Sequence, residues 1–159
     1  MTRVRAMKWA GCVLGTLFLT GPVASSQIIK PDAQGFITVP ADAVKFAEGT
    51  MSQLVLAGDP TKSGLYVIRI RFAPGQTSKP HFHDQDRLVT VIKGTWWVAL
   101  GPESDKYDMS KTTPMKAGSF VKHPAGGHHY DGAKEEEAVV QIIGMGPVKT
   151  TQLGTGPQG

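Results

Sequence analysis

Residues 75–94 read GQTSKPHFHDQDRLVTVIKG, and this stretch indicates how the chain folds. It places His81 and His83 in a short extended segment, where a period of two puts both rings on one face of a strand. An apolar segment follows at 88–92, and Lys93-Gly94 separates it from the next apolar segment, which predicts a β-hairpin. The stretch therefore predicts short strands joined by glycine- and proline-containing turns.

The chain on either side continues this pattern. Residues 65–73 alternate, with Tyr66, Ile68, Ile70 and Phe72 on one face, as expected of a half-buried strand. Because many short strands alternate with Gly/Pro turns and no long helical pattern occurs, we predict an all-β sandwich or small barrel. Pro40-Ala41-Asp42 could open only a brief helical turn. The predicted strands cover 36–39, 54–57, 65–73, 79–83, 88–92, 95–100, 114–116, 118–122, 128–132, 138–144 and 146–151.

The first 26 residues have the organisation of a secretory signal peptide. Three basic residues precede an uncharged, mostly apolar stretch at 9–20, and small residues follow at 24–26. The apolar stretch is shorter than the roughly 20 residues that span a bilayer, so an uncleaved anchor is the less favoured alternative. We expect export to the periplasm or the medium, with no membrane association after cleavage. The predicted organisation is signal peptide 1–26, lead-in strand and loop 27–53, barrel 54–153 and flexible tail 154–159.

The charge and cysteine content exclude several functions. The chain has 17 Lys and Arg against 13 Asp and Glu, but without residues 1–26 the balance is 14 against 13. A nearly neutral body argues against a nucleic-acid partner, which would require a basic face. The one cysteine, Cys12, lies in the predicted signal peptide. The exported chain would therefore have no disulfide and no thiolate ligand.

All five histidines lie between residues 81 and 129. His81 and His83 form the first group, and His123, His128 and His129 form a second group around the Pro-Ala-Gly-Gly turn. A β-sandwich can bring two such groups together in one mouth. Because imidazole is the commonest metal ligand, we predict a metal site rather than isolated core histidines.

Two motifs in this order resemble those of the cupin family. Residues 75–94 have the form Gly-x5-His-x-His-x3-Arg-x6-Gly, and residues 118–129 have the form Gly-x5-Pro-Ala-Gly-Gly-His-His. The resemblance covers roughly residues 54–145. The stretches around Gly58-Asp59-Pro60 and Thr95-Trp96-Trp97 also resemble a subgroup of small bacterial single-domain cupins. The resemblance implies a single jelly-roll β-barrel of about 8–11 short strands, with a metal held in its mouth by residues of both motifs.

The resemblance implies that His81, His83 and His129 are the metal ligands, with His128 as the adjacent alternative. The family's fourth ligand, a glutamate, falls on Arg87, which is always protonated and has no lone pair to give. Three arrangements remain open: three histidines completed by water, a substitute ligand, or loss of the metal with Arg87 binding an anion directly. We favour the first. The candidate substitute ligands are Gln85, Asp86 and His123.

Arg87 also bears on the function. Three neutral imidazoles leave the full charge on a divalent ion (Fe, Mn, Ni or Zn), and Arg87 adds to it, so the mouth should attract an anionic or enolate-forming small molecule. A guanidinium 6 Å from the ion costs about 3 kcal/mol at an effective dielectric constant of about 20. Arg87 should therefore point away, pair with Asp84 or Asp86, or face a bound anion; a surface salt bridge is the alternative.

We expect a metal-dependent enzyme, an oxidoreductase similar to three-histidine dioxygenases or an isomerase, in which Arg87 orients the substrate. The alternatives are a non-catalytic cupin that binds a metal or small molecule, and a metal-free barrel. Pairing as a homodimer is also expected. Trp96 and Trp97 should face opposite sides of their strand, and Asp131 is either a hydrogen-bond partner of His129 or a turn residue.

Overall fold

The computed structural model describes residues 29–47 and 51–154. The predicted signal peptide and nearly all of the predicted tail lie outside these residues. Among the described residues, no helix combines the length and apolar character needed to cross a bilayer.

The described chain forms two five-stranded antiparallel sheets packed face to face, which confirms the predicted all-β jelly roll. The first sheet has the order β1-β2-β9-β4-β7 and the second β10-β3-β8-β5-β6. The strands are β1 (Ser52–Ala57), β2 (Gly64–Phe72), β3 (His81–His83), β4 (Arg87–Lys93), β5 (Thr95–Leu100), β6 (Thr113–Lys116), β7 (Phe120–His123), β8 (His129–Gly132), β9 (Ala138–Gly146) and β10 (Thr150–Gln152). Single 3₁₀ turns span Ala41–Ala43, Pro102–Asp105 and Met109–Lys111.

The core lies between the sheets and is built by strand alternation. On β2, Tyr66, Ile68 and Phe72 are buried, as the period-two pattern predicts. Trp96 of β5 packs against them from the other sheet and is fully buried. Several of these side chains, among them Ile68, Phe72 and Trp96, also line the cavity that contains the histidines.

The lead-in differs from the prediction at one element. Residues 36–39 are not in a strand, and Phe36 and Ile37 are exposed. A strand needs a neighbour to complete its backbone hydrogen bonds, and none pairs with this segment in the described chain. The predicted helical turn is confirmed at Ala41–Ala43. The first strand, β1, begins at Ser52, inside the predicted lead-in.

The predicted hairpin at Lys93-Gly94 is wrong, although the turn is real. β4 already pairs with β7 on one side and β9 on the other, so β5 cannot pair with it. The turn instead carries the chain from the first sheet to the second. Gly94 has a positive φ of 69°, and a Cβ at this position would lie 2.0 Å from the carbonyl oxygen of Glu137. The close crossing therefore requires glycine.

Candidate metal centre

A cavity of about 620 Å³ opens between the two sheets. Its walls combine apolar side chains of the first sheet with histidines from β3, β7 and β8 and with Arg87 from β4. A volume of this size suits a small organic molecule.

Strand register brings three of the predicted ligands together. β3 pairs with β8 so that His81 lies directly opposite His129, and His83 follows two residues later on the same face. The three side chains are buried, and one ligand nitrogen from each lies within 4.8 Å of the others. Histidines that are 46 and 48 residues apart in the chain thus converge in one cluster, as the sequence predicts.

Backbone carbonyl groups fix the orientation of two of these rings. Nδ1 of His81 lies 2.6 Å from the carbonyl oxygen of Lys79, and Nδ1 of His129 lies 2.9 Å from that of Gly127. A carbonyl oxygen can only accept, so each Nδ1 carries the proton and donates it. Each Nε2 therefore keeps its lone pair, which is the tautomer that a metal ligand requires.

Burial disfavours protonation of two of the three histidines. Desolvation, followed by the nearby Arg87 charge, lowers the pKa of His83 to about 2. Desolvation also lowers the pKa of His129 to about 4, against the opposing effect of Asp131. Both imidazoles are consequently unprotonated at neutral pH, and no proton competes for their lone pairs.

Arg87 points into the cavity. It opens β4 with the same inward parity as Val89 and Val91, its side chain is 8% exposed, and its Nη1 donates to Nε2 of His83 at 2.6 Å. The expectations that Arg87 points away from the cluster or pairs with Asp84 or Asp86 are therefore wrong, and so is the alternative of a surface salt bridge. Asp84 instead accepts from the backbone of Lys149.

Two of the three candidate ligands, His81 and His129, present an Nε2 lone pair for an ion, whereas Nε2 of His83 accepts a hydrogen bond from Arg87. Because Arg87 always donates, Nε2 of His83 must be the acceptor, and Nδ1 then carries the proton and donates to Oγ1 of Thr150 at 3.0 Å. Nitrogens bound at about 2.0–2.1 Å to one ion lie at most about 4.2 Å apart, so the set needs little inward movement. Three imidazoles suit a first-row transition metal, and they fit one once the guanidinium leaves His83.

A fourth histidine lies beside the cluster. His123 is buried, its ring centroid is 3.8 Å from that of His129, and its Nε2 has no hydrogen-bond partner in the described chain. Desolvation lowers its pKa to about 2. Its nitrogens do not join the three that lie within mutual ligand distance, so the structure places this predicted substitute next to the candidate centre rather than in it.

The other predicted substitutes lie outside the cavity. His128 pairs with Asp105, and its ring stacks on Phe82 at 5.3 Å. Gln85 is exposed, and the exposed Asp86 is held by Lys122 and by the backbone of Ala125. All three lie in the segments that connect strands, at 84–86 and at 124–128. The lining residues do not include them.

Asp131 has a different role from either expected one. It lies on β8 rather than in a turn, and its carboxylate accepts from Nε1 of Trp96 at 3.0 Å and from Oγ of Ser78. It therefore anchors the buried Trp96 and not His129. The prediction that the two tryptophans face opposite sides is confirmed, because Trp97 lies outside, under Nζ of Lys134 at 3.5 Å.

Sequence reasoning missed two residues that contact the site. Thr150 of β10 accepts a hydrogen bond from Nδ1 of His83, and Tyr66 of β2 lies close enough to Arg87 to raise the pKa of the guanidinium against the larger effect of burial. Neither residue stands in a motif. The inward parity of Tyr66 was the only signal in the sequence, and it was equally consistent with a core position.

A two-sheet jelly roll that holds histidines from two sequence motifs in its mouth is the architecture that the cupin resemblance implies. The comparison with known families supports the same assignment. The cupin family model matches residues 45–155, and the chain belongs to the cupin family. No curated protein matches the sequence. The family and the buried three-histidine group are compatible with a divalent metal.

Similar solved structures support the fold. A conserved protein with a double-stranded β-helix domain from Klebsiella pneumoniae is 19% identical, with 72% of this chain and 93% of that chain covered and a TM-score of 0.56. A cupin-superfamily sugar phosphate isomerase from Silicibacter pomeroyi is 20% identical, with 74% and 82% covered and a TM-score of 0.55. The polyketide cyclase RemF from Streptomyces resistomycificus is 18% identical, with 69% and 76% covered and a TM-score of 0.53.

Proposed function

We propose that this cupin binds one divalent transition metal through His81, His83 and His129 and acts as an enzyme on a small anionic or enolisable organic molecule. The observation that carries the proposal is the convergence of three buried imidazole nitrogens within 4.8 Å of one another. Burial disfavours protonation of His83 and His129, and backbone carbonyls fix the rings of His81 and His129, which together favour metal binding.

The protein's own residues would supply binding and orientation. Arg87 places a buried guanidinium at the edge of the cluster, where its planar fork can hold a carboxylate or an enolate oxygen. Ile68, Val89 and Ile142 line the same cavity and would exclude water from the bound molecule. When bound, the metal would supply Lewis acidity for an enolate and, if it is iron or manganese, redox chemistry.

We propose that the reaction is of the dioxygenase or isomerase type. Two similar structures carry the names sugar phosphate isomerase and polyketide cyclase, which refer to reactions of small organic molecules. At 20% identity or less, these likenesses support the scaffold and not a particular substrate. Export to the periplasm or medium and homodimer formation are also proposed, on the sequence features of residues 1–26 and on the jelly-roll fold.

A second candidate function is a non-catalytic cupin that binds an anion without metal. One contact favours it: Arg87 occupies the lone pair of His83 that a metal would need. In that case the guanidinium alone would bind the anion directly, because Nε2 of His81 and of His129 carries a lone pair and has no hydrogen to donate.

Elemental analysis of the protein, purified without added metal, distinguishes the two. We expect about one first-row metal per chain in the native protein and in a His128→Ala control, and none in His81→Ala. His128 is a matched control because its ring lies outside the cavity. Absence of metal from the native protein, or its retention in His81→Ala, would contradict metal binding by this cluster.

Turnover separates the enzyme from a metal-binding module. A metal-loaded protein should consume members of a panel of diketones, phenols and keto acids, and His81→Ala should not. Binding of panel members without turnover would support the non-catalytic function instead.

A further inference from the structure

Arg87 carries a buried positive charge that no carboxylate in the described chain neutralises. It belongs to none of the ion pairs found there, and its Nε has no hydrogen-bond partner. Asp131 is near enough to raise the pKa of Arg87, yet its oxygens are engaged by Trp96 and Ser78. An unpaired buried charge is costly, and this corner of the cavity is therefore suited to an anion.

The hydrogen-bond acceptor that Arg87 uses among the described residues is a proposed metal ligand. Nε2 of His83 offers one lone pair, and Nη1 of Arg87 uses it at 2.6 Å. Nδ1 cannot substitute, because it carries the proton that is donated to Thr150. A metal and the guanidinium cannot share this lone pair, so binding of a metal to His83 requires Arg87 to move.

We propose that Arg87 couples two ligands, so that an organic carboxylate and the metal bind cooperatively. A carboxylate that pairs with the guanidinium draws it away from His83 and frees the third imidazole. Conversely, a metal on His83 releases the donors of Arg87 for the carboxylate. The inference rests on the proposed function and adds the regulation of that site.

The surroundings of Arg87 favour a carboxylate with an apolar body. The guanidinium presents parallel N–H groups that match the two oxygens of a carboxylate. The cavity wall beyond it is made of Ile68, Phe72, Val89 and Ile142, which suits a hydrocarbon portion. Small inorganic anions would satisfy the charge but leave this apolar wall uncovered.

The coupling is reciprocal and has a measurable size. If a carboxylate tightens metal binding by some factor, the metal tightens carboxylate binding by the same factor, because both follow from one thermodynamic cycle. Couplings of this kind are commonly about 5–150-fold. Since a charge-assisted hydrogen bond must be exchanged here, we expect an effect of about tenfold or more.

Titration of the metal-free protein with cobalt(II) tests the coupling through affinity and the visible absorption of the bound ion. Parallel titrations contain sodium benzoate, sodium acetate or sodium chloride at equal ionic strength. Arg87→Met removes the guanidinium, and Arg69→Met is the matched control, because Arg69 contacts Gln141 away from the histidine cluster.

We expect benzoate to tighten cobalt binding about tenfold or more over chloride in the native protein and in Arg69→Met. Arg87→Met should bind cobalt tightly in chloride and show no response to benzoate. Equal native affinities in all three salts would overturn the coupling, and so would a benzoate response that survives in Arg87→Met. If Arg87→Met fails to fold, the salt comparison in the native protein decides alone.

The same titrations distinguish the coupling from the proposed function. Cobalt binding that is lost in His81→Ala but indifferent to carboxylate would overturn the coupling and leave the metal site standing. No cobalt binding in any salt would overturn both.

Discussion

Acidification should destabilise the metal-free protein well before its carboxylates are protonated. Three buried histidines, His83, His123 and His129, have pKa values lowered to about 2, 2 and 4 by desolvation. The pKa of each histidine in the unfolded chain is 6.5. Between pH 6.5 and the lowered values, the unfolded chain therefore binds protons that the folded chain does not bind. The contribution of these histidines to the unfolding free energy is thus fully present above about pH 6.5 and is lost progressively as the pH falls below that value.

The magnitude follows from the same shifts. At about pH 5 each histidine costs about 2 kcal/mol of unfolding free energy, and the three together cost about 6 kcal/mol. The neighbouring charges act in both directions: Arg87 opposes protonation of all three rings, and Asp131 favours protonation of His129. A loss of this size approaches the whole stability of a typical domain, which is about 5–15 kcal/mol.

Urea unfolding of metal-free protein at a series of pH values measures the effect. Between about pH 6 and pH 5 the unfolding free energy should fall by about 3–4 kcal/mol, and by about two thirds of that amount in His123→Leu, which removes one titrating ring. His123 suits this comparison because it lies outside the three-nitrogen set. A stability that is flat across this range, or an unchanged slope in His123→Leu, would refute the assignment of neutral buried imidazoles.

Three further substitutions test individual contacts. Asp131→Ala should lower the unfolding free energy by about 2–4 kcal/mol, because Nε1 of the buried Trp96 loses its acceptor; a loss below about 0.5 kcal/mol in urea unfolding would contradict this. Gly94→Ala should cost about 2 kcal/mol or more, because its Cβ would lie 2.0 Å from a backbone carbonyl oxygen; an unchanged melting temperature would show that the crossing can relax. Thr150→Val should weaken cobalt binding about tenfold by removing the acceptor that orients His83, and calorimetry that finds equal affinity would exclude that role.

The strand pattern could be predicted from the sequence because alternation is local. Residues 65–73 correspond closely to β2, with Tyr66, Ile68 and Phe72 buried as the period of two requires. Pairing is not local, and the apparent hairpin at Lys93-Gly94 shows the difference. The turn is encoded locally by Lys93-Gly94, but only the positions of β7 and β9 exclude β5 from pairing with β4.

Part of the histidine cluster could also be predicted from local spacing, whereas the inward direction of Arg87 was harder to predict. His81 and His83 share a strand face by spacing alone, whereas the approach of His129 follows from the family resemblance and from register. Arg87 has the parity of buried Val89, a signal that was available in the sequence. Because arginine is seldom buried, the parity of Arg87 alone does not distinguish a buried side chain from a surface salt bridge.

X-ray absorption spectroscopy of the protein loaded with one equivalent of zinc tests the central claim most directly. The account predicts three imidazole nitrogens at about 2.0–2.1 Å from the ion, with the imidazole scattering lost in His81→Ala. A spectrum with only oxygen neighbours, or one that is the same in His81→Ala, would contradict binding of the ion by the three histidines.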